Sequence, residues 1–380
     1  MEGSMMAIRS GFWRYAHGIL CSITLLCLVF LPCMGVMATA ADEKPWYPVA
    51  VDVWQPPFNE MRQRVQKMYV PLEKAQRSWR ISAFIPHLKD AYWLGVNYGL
   101  IDEARRLGVS LSIYEAGGYG RLGVQRKQIE EMLSNNTNKP DGLIIAAISQ
   151  DGLNDIVKKA HGLGIPVVDL INGLSSPLIS ARAAATFWDN GYQTGMYLRR
   201  IQEKTGKPMR VAWFPGPKGA GWVAAGNTGF NEAITGGDIK IMCTLHGDTG
   251  AAVQGKLVET ALDQHGDNLD FIVGTAATTE ASVKILRKRG LSNQIKLLSY
   301  YYGPSVHRGI RRGRILAAPT DSQVLQARIA LDILVRILEK KDYFKHAAPR
   351  VMVVDRDNIR TWDSSTTLSP RGFRPVFSIN

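Results

Sequence analysis

Short apolar runs alternate along the chain with stretches in which apolar side chains return every three or four positions, and a glycine often separates the two. From Arg80 onward this pattern predicts strands at Arg80–Pro86, Val109–Glu115, Asp141–Ala147, Pro166–Ile171, Arg210–Pro215, Ile239–Leu245, Leu269–Gly274, Ile295–Tyr300 and Ile315–Pro319. Between the first two, Leu94, Tyr98, Ile101 and Ala104 share one helical face, and Gly108 supplies a left-handed stop. Leu153, Ile156, Val157 and Ala160 repeat the motif before Gly164, as do Val283, Ile285 and Leu286 before Gly290. Strand and helix in alternation build a parallel sheet with helices on both faces, and repeated units of this kind make an open twisted sheet.

The alternation pauses near Ala181–Trp188, where a helix from Asn190 to Glu203 leads to a second series of strands. A long amphipathic helix with Leu325, Ile329, Ile333, Val335 and Leu338 follows the ninth strand, and Arg350–Asp355 reads as one more strand. The expected fold class is therefore α/β, with two doubly wound parallel-sheet lobes, a hinge and a central cleft. Residues 80–187 and about 301–342 are expected in lobe 1, and 188–300 and about 343–380 in lobe 2. Residues 41–79 hold five prolines among aromatic residues and are expected to form an N-terminal extension packed on lobe 1.

Length agrees with two cores, since 380 residues are more than one usually organises. At 46% hydrophobic and 21% charged, the chain is neither disordered nor fibrous. The formal charge of +13 would ordinarily suggest nucleic acid or an anionic surface. Residues 1–40 redirect that suggestion: Arg9 and Arg14 precede an apolar run from Ile19 to Leu31, and Ala38-Thr39-Ala40 reads as a cleavage site. A signal peptide is expected, because the run is shorter than the roughly 20 residues needed to span a bilayer. Without Glu2, Arg9 and Arg14 the mature chain keeps 44 basic against 32 acidic side chains, +12, and export to the periplasm excludes nucleic acid as the explanation. Cys243 alone of the four cysteines survives, so no internal disulfide is expected.

Motifs for catalysis are weak. Gly118-Tyr119-Gly120-Arg121-Leu122-Gly123 matches the dinucleotide spacing, but the following strand ends Ile145-Ala146-Ala147 with no acidic residue to hold a ribose. Gly216–Gly221 lacks the Lys-Ser/Thr of a phosphate loop, and the seven histidines show no metal spacing. No cofactor, no metal and no enzymatic activity are expected.

Aromatic residues, in contrast, recur in one class of position. Tyr92 and Trp93 follow the first strand, Tyr119 the second, Trp188 sits at the crossing between lobes, and Tyr300, Tyr301 and Tyr302 end the eighth strand. In an open α/β sheet such loops converge on the ligand crevice. Together with Asp90, Asp189 and Asp321 these aromatic residues, the tyrosines at the end of the eighth strand (Ile295–Tyr300) included, suggest a site for a cationic or methylated amine, because ring faces attract a desolvated ammonium. Asp189 reads equally well as a helix cap.

Four segments carry a resemblance: Lys89-Asp90-Ala91-Tyr92-Trp93-Leu94-Gly95-Val96-Asn97-Tyr98-Gly99, Glu115-Ala116-Gly117-Gly118-Tyr119, Gly191-Tyr192-Gln193-Thr194-Gly195 and Ser369-Pro370-Arg371-Gly372-Phe373-Arg374-Pro375-Val376. They resemble the TorT family of trimethylamine N-oxide sensing proteins, within the periplasmic binding proteins of the ribose-binding type. The resemblance implies the type I fold, two α/β lobes on a three-stranded hinge. It also implies trimethylamine N-oxide in an aromatic box, and a complex with the periplasmic domain of a TorS-like histidine kinase of a two-component system. Carried over by motif, the ligand-binding residues are Asp90, Tyr92, Trp93, Tyr119, Trp188 and Tyr301. The loop Gly219–Val223 and the three consecutive tyrosines depart from the family pattern. A sugar-type substrate-binding protein of an ABC importer is the alternative, followed by a nucleotide-dependent oxidoreductase on the Gly118 loop. A repressor on the same core would need a DNA-binding segment where the signal peptide stands.

Overall fold

The computed structural model describes residues 47–59, 63–135, 137 and 139–380; the expected signal peptide, residues 1–40, lies outside them. Strands β1 (Val49–Trp54) and β2 (Arg64–Tyr69) form an antiparallel hairpin inside the segment expected to be an irregular extension. Pro48, Pro56, Pro57 and Pro71 lie outside the strands, so they shape the turns without removing a ladder donor.

The first parallel sheet is built from β3 (Arg80–Ile85), β4 (Ser110–Glu115), β5 (Gly142–Ile145), β6 (Val167–Leu170) and β7 (Ala181–Ala183), with α1 (Ala91–Leu107), α2 (Leu122–Ser134) and α3 (Asn154–Gly162) in the crossovers. Asp90 caps α1, and Gly108 ends it with φ 74°, the left-handed turn that glycine adopts without strain. Helix α4 (Phe187–Thr205) leads to the second parallel sheet: β8 (Met209–Gly216), β9 (Ile239–His246), β10 (Phe271–Gly274) and β11 (Lys296–Ser299), connected by α5 (Gly221–Ile234), α6 (Ala251–His265) and α7 (Ala276–Lys288). Its order is β11-β10-β8-β9.

The chain then revisits both sheets. Helix α8 (Pro304–Arg311) and β12 (Ala317–Thr320) pack beside α7 and β11, whereas α9 (Gln323–Leu338) is almost wholly buried against α1 and β5–β7. Strand β13 (Ala347–Pro349) joins β1, giving a small sheet in the order β13-β1-β2, and β14 (Met352–Asp355) pairs with β12. Strand β15 (Ser378–Ile379) pairs antiparallel with β4, and the first sheet reads β15-β4-β3-β5-β6-β7. Two expected boundaries are corrected by these pairings. Residues 301–320 pack on the second sheet, because Tyr302, Val306 and Ile310 fill its core. The final residues return to the first sheet, where Asn97 holds Val376 through two hydrogen bonds of 2.8 and 3.0 Å.

The inner strands of the two parallel sheets are the most buried. Strands β5, β6 and β10 are buried at every position, as sheets covered on both faces require, and β12 is equally buried in its ladder with β14. The carboxyl ends of both sets of strands feed the loops that carry the aromatic residues singled out above.

Candidate functional site

Those loops meet around one small cavity, lined by Asp90, Tyr92, Trp93, Tyr119 and Tyr301, together with Asn172, Phe187, Trp222 and Thr249.

Asp90 organises one wall. Its Oδ1 accepts the backbone N–H groups of Tyr92 (3.1 Å) and Trp93 (3.2 Å), which fixes both rings on the first turn of α1. Its Oδ2 accepts the Thr249 hydroxyl at 3.0 Å, from the loop that follows β9 in the other sheet. Lys89 Nζ makes a parallel bridge to Asp248 at 3.2 Å. Of the lining side chains only Asp90 belongs to a charged residue type.

The rings pack edge to face. Tyr301 stands at 73° to Tyr92 with centroids 5.7 Å apart, and at 79° to Trp222 at 6.3 Å. Trp222 also touches Phe187 at 5.2 Å and Tyr119 at 5.8 Å. The Tyr92 hydroxyl donates to Asp321 Oδ2 at 2.5 Å. Burial raises the Asp321 carboxyl above the usual carboxylate range, against the lowering effect of that hydrogen bond. Burial likewise raises the phenols of Tyr92, Tyr119 and Tyr301, so the box presents neutral rings. Asn172 Nδ2 donates to the Tyr119 oxygen at 3.2 Å and to the Ala147 carbonyl at 2.8 Å. Behind Trp93 and Tyr119 stands His87, fully buried, its pKa lowered mainly by desolvation.

Five of the six expected site residues are thus brought together, and the sixth is not. Trp188 lies outside the lining: its ring stacks on Tyr192 at 4.5 Å and its indole donates to Glu232 at 2.9 Å. Phe187 faces the cavity instead. The helix phase explains this, since Thr186 caps α4 by accepting the Asp189 N–H, and one residue later on a helix is a rotation of about 100°. Asp189 neither caps α4 nor reaches the cavity; Arg64 of β2 grips it through two bonds of 2.6 and 2.7 Å. The three tyrosines diverge: the Tyr300 hydroxyl donates to Pro215, that of Tyr302 meets His307, and Tyr301 alone of them lines the cavity. Asn172, Phe187, Trp222 and Thr249 were not foreseen. Trp222 carried a signal in the glycine-rich loop before it, and Phe187 in its adjacency to Trp188.

The excess of positive charge lies elsewhere. Lys284, Arg287, Arg308, Arg312 and Arg314 line a groove beside α7 and α8. Among the described residues no group of three or more His, Cys, Asp and Glu side chains could hold a metal ion, and no helix is long and apolar enough to cross a membrane.

Comparison with known proteins agrees with this architecture. The family model for the periplasmic binding protein domain matches residues 81–342. The periplasmic protein TorT of Escherichia coli K12 is 34% identical over 309 residues, 80% of this chain and 86% of that protein. A crystal structure of an ABC transporter solute binding protein from Bradyrhizobium sp. BTAi1 with bound bis-tris is 47% identical, with a TM-score of 0.77, over 87% of this chain and 98% of that one. A crystal structure of the TorS sensor domain–TorT complex in the presence of TMAO is 31% identical, with a TM-score of 0.71, over 79% of this chain and 100% of that one. The chain belongs to the periplasmic binding protein family and has its α/β fold with parallel sheets.

Proposed function

We propose that this periplasmic binding protein is a non-enzymatic sensor, exported by its signal peptide, that captures trimethylamine N-oxide or a close amine oxide in the aromatic box. It signals by assembling with the periplasmic domain of a TorS-like membrane histidine kinase. The observation that carries the reading is the lining itself, neutral rings on every side and Asp90 as the lone carboxylate. Each ring face attracts a methylated, positively polarised nitrogen by about 0.5–2 kcal/mol when both are desolvated. Sugars are recognised by forked polar side chains, and this lining offers few. The likeness to TorT, alone and in complex with TorS, supports the same ligand class and partner.

In this reading Asp90, Tyr92, Trp93, Tyr119 and Tyr301 bind the ligand, and Phe187 takes the place expected for Trp188. The two lobes are the two parallel sheets with their helices, and the ligand joins them by touching loops of both. It can bias the kinase only through its differential affinity for the two arrangements of those lobes.

A second reading, delivery of a solute to an ABC importer, has one specific support: the Bradyrhizobium relative is described as such a protein. Its bound bis-tris is a tertiary amine, so an amine ligand is compatible with either reading. Thermal melting of the mature protein with trimethylamine N-oxide, trimethylamine, betaine and ribose separates them, alone and with the kinase domain present. A ligand at one hundred times its Kd adds about 2.7 kcal/mol. No shift with the N-oxide under either condition would sink the sensor reading, and a shift with ribose alone would favour the importer.

A further inference from the structure

The polar groups around the cavity are largely engaged with one another. Tyr92 donates to Asp321, Thr249 to Asp90, and Asn172 to Tyr119 and Ala147. The Trp93 indole reaches the Tyr119 oxygen, and the Tyr301 hydroxyl lies against Thr275 and the Ala276 N–H. Trp222 differs. Its side chain is 96% buried, and its indole Nε1–H is the one polar group of the lining that is fully buried and has no hydrogen-bond partner among the described residues. A buried donor left unsatisfied opposes folding, so a fold that keeps one in a ligand cavity holds it for an acceptor that arrives with the ligand.

The surroundings fix the ring in place. Gly216 adopts φ 117°, and a Cβ there would strike the indole at 2.6 Å, so glycine lets the loop pass beneath it. Ala220 begins α5, which sets Trp222 on the first turn of the helix, and Phe187, Tyr119 and Tyr301 pack around the ring.

We propose that Trp222 is the specificity-determining donor of the site: its indole N–H meets the ligand's oxygen and selects methylated amines that carry an acceptor, amine oxides above all, over bare ammonium ions. The inference rests on the amine-oxide reading of the cavity and deepens it. The oxide oxygen carries a formal negative charge, and a hydrogen bond to a charged acceptor in a dry site is among the stronger ones. Rings and the Asp90 carboxylate alone would favour tetramethylammonium, a full cation in which a methyl replaces the oxygen, over the net-neutral N-oxide.

The test is calorimetric titration of the mature protein with trimethylamine N-oxide and with tetramethylammonium. Wild type should bind the N-oxide more tightly. Trp222→Phe should weaken the N-oxide about tenfold or more and change tetramethylammonium by less than about threefold. Benzothienylalanine at position 222, which keeps the shape of the bicycle and removes only the N–H, should do the same and guards against loss of the fold. An N-oxide affinity kept within about threefold in both variants overturns the inference and leaves the sensor reading standing. Equal loss of both ligands in the benzothienylalanine protein also overturns it, by making Trp222 a wall alone. Wild type binding neither ligand removes the underlying reading and this inference with it.

Discussion

Helices α4 and α5 approach so closely that two glycines become structural requirements. A Cβ on Gly191 would stand 1.9 Å from the Gly226 carbonyl oxygen, and one on Gly229 would stand 2.1 Å from that of Trp188. Both obstacles are backbone, so no rotamer change relieves them. Ordinary contact begins near 3.4 Å, and 3.4 less 1.9 means that Gly191→Ala must push the helices about 1.5 Å apart. Alanine gains up to ~1 kcal/mol over glycine in a helix interior, whereas overpacking costs ~1–3 kcal/mol and more where only backbone can yield. The steric term wins, leaving a loss of about 2 kcal/mol. At ~2–4 °C per kcal/mol, Tm should fall by about 4–8 °C. Gly255→Ala in α6 is the control, because only Ala281 Cβ lies near, at 4.0 Å, and Tm there should rise by about 1–3 °C. Scanning calorimetry of both variants reads the contrast. A Gly191→Ala protein that melts with or above wild type refutes the packing argument. Phe187 and Trp222 begin these two helices, so the same variant should also bind the N-oxide less tightly.

Three further expectations follow from single contacts. Arg64→Ala leaves Asp189 buried without its partner and should cost about 3 kcal/mol, the low end for a broken buried pair because Arg64 keeps a quarter of its side chain exposed; a loss under about 1 kcal/mol in urea titration speaks against it. His346 is stacked on Trp54 and Phe58, faces Arg182 and Arg64, and is held by burial at a pKa of about 3. Folded pKa below unfolded means that its contribution is whole above pH ~6.5 and fades as pH falls toward 3, by ~1.4 kcal/mol per unit. Between pH 6.5 and 5 wild type should therefore lose about 2 kcal/mol relative to His346→Gln, and parallel stability curves for the two proteins would contradict this. Asp90→Asn keeps an oxygen for the α1 cap but removes the charge, so Tm should change little while tetramethylammonium affinity drops about tenfold; unchanged affinity would show that the carboxylate does not meet the cation.

The sheets were legible because strands buried on both faces read as unbroken apolar runs, and helices ending in glycine marked each crossover. Strand β2 was not, since Arg64, Gln66, Lys67 and Met68 give no alternation and its sheet is completed by β13, almost 300 residues away. At three residues, β7 and β13 are too short for any periodicity. In the site, Asp90, Tyr92, Trp93 and Tyr119 could be read from position, because loops at carboxyl ends of strands have one place to go, whereas position offered Tyr300, Tyr301 and Tyr302 alike and the family resemblance put Tyr301 first. Trp188 could not be told from Phe187, because the phase of α4 is set by the Thr186 cap, and the Arg64–Asp189 pair that locks its first turn reaches across 125 residues. Nor could Trp222 be chosen from sequence, since what distinguishes it is an unpartnered N–H, a property of the packed state.

Beside the ring contacts of Tyr92 with Tyr301 and Tyr119 with Trp222, two polar contacts bridge the two sheets at the cavity. Asp90 spends one oxygen on its own helix and the other on Thr249, and the neighbouring Lys89–Asp248 pair is about two-fifths exposed on each side. An exposed pair is worth ~0–1 kcal/mol and one hydrogen bond to a charged group ~1.5–3 kcal/mol, before the ordering of side chains is subtracted. Moving a two-state equilibrium from 1:99 to 99:1 takes ~5.5 kcal/mol, which these two polar contacts do not reach by themselves. A ligand touching Trp93 and Tyr119 from one sheet and Trp222 and Tyr301 from the other can add the remainder, because each ring contact exists only when both walls are present. The same arithmetic makes the latch a tuning element: Thr249→Val, which deletes the protein's own bridge and keeps the cavity's shape, should weaken N-oxide binding by raising the share that the ligand must supply.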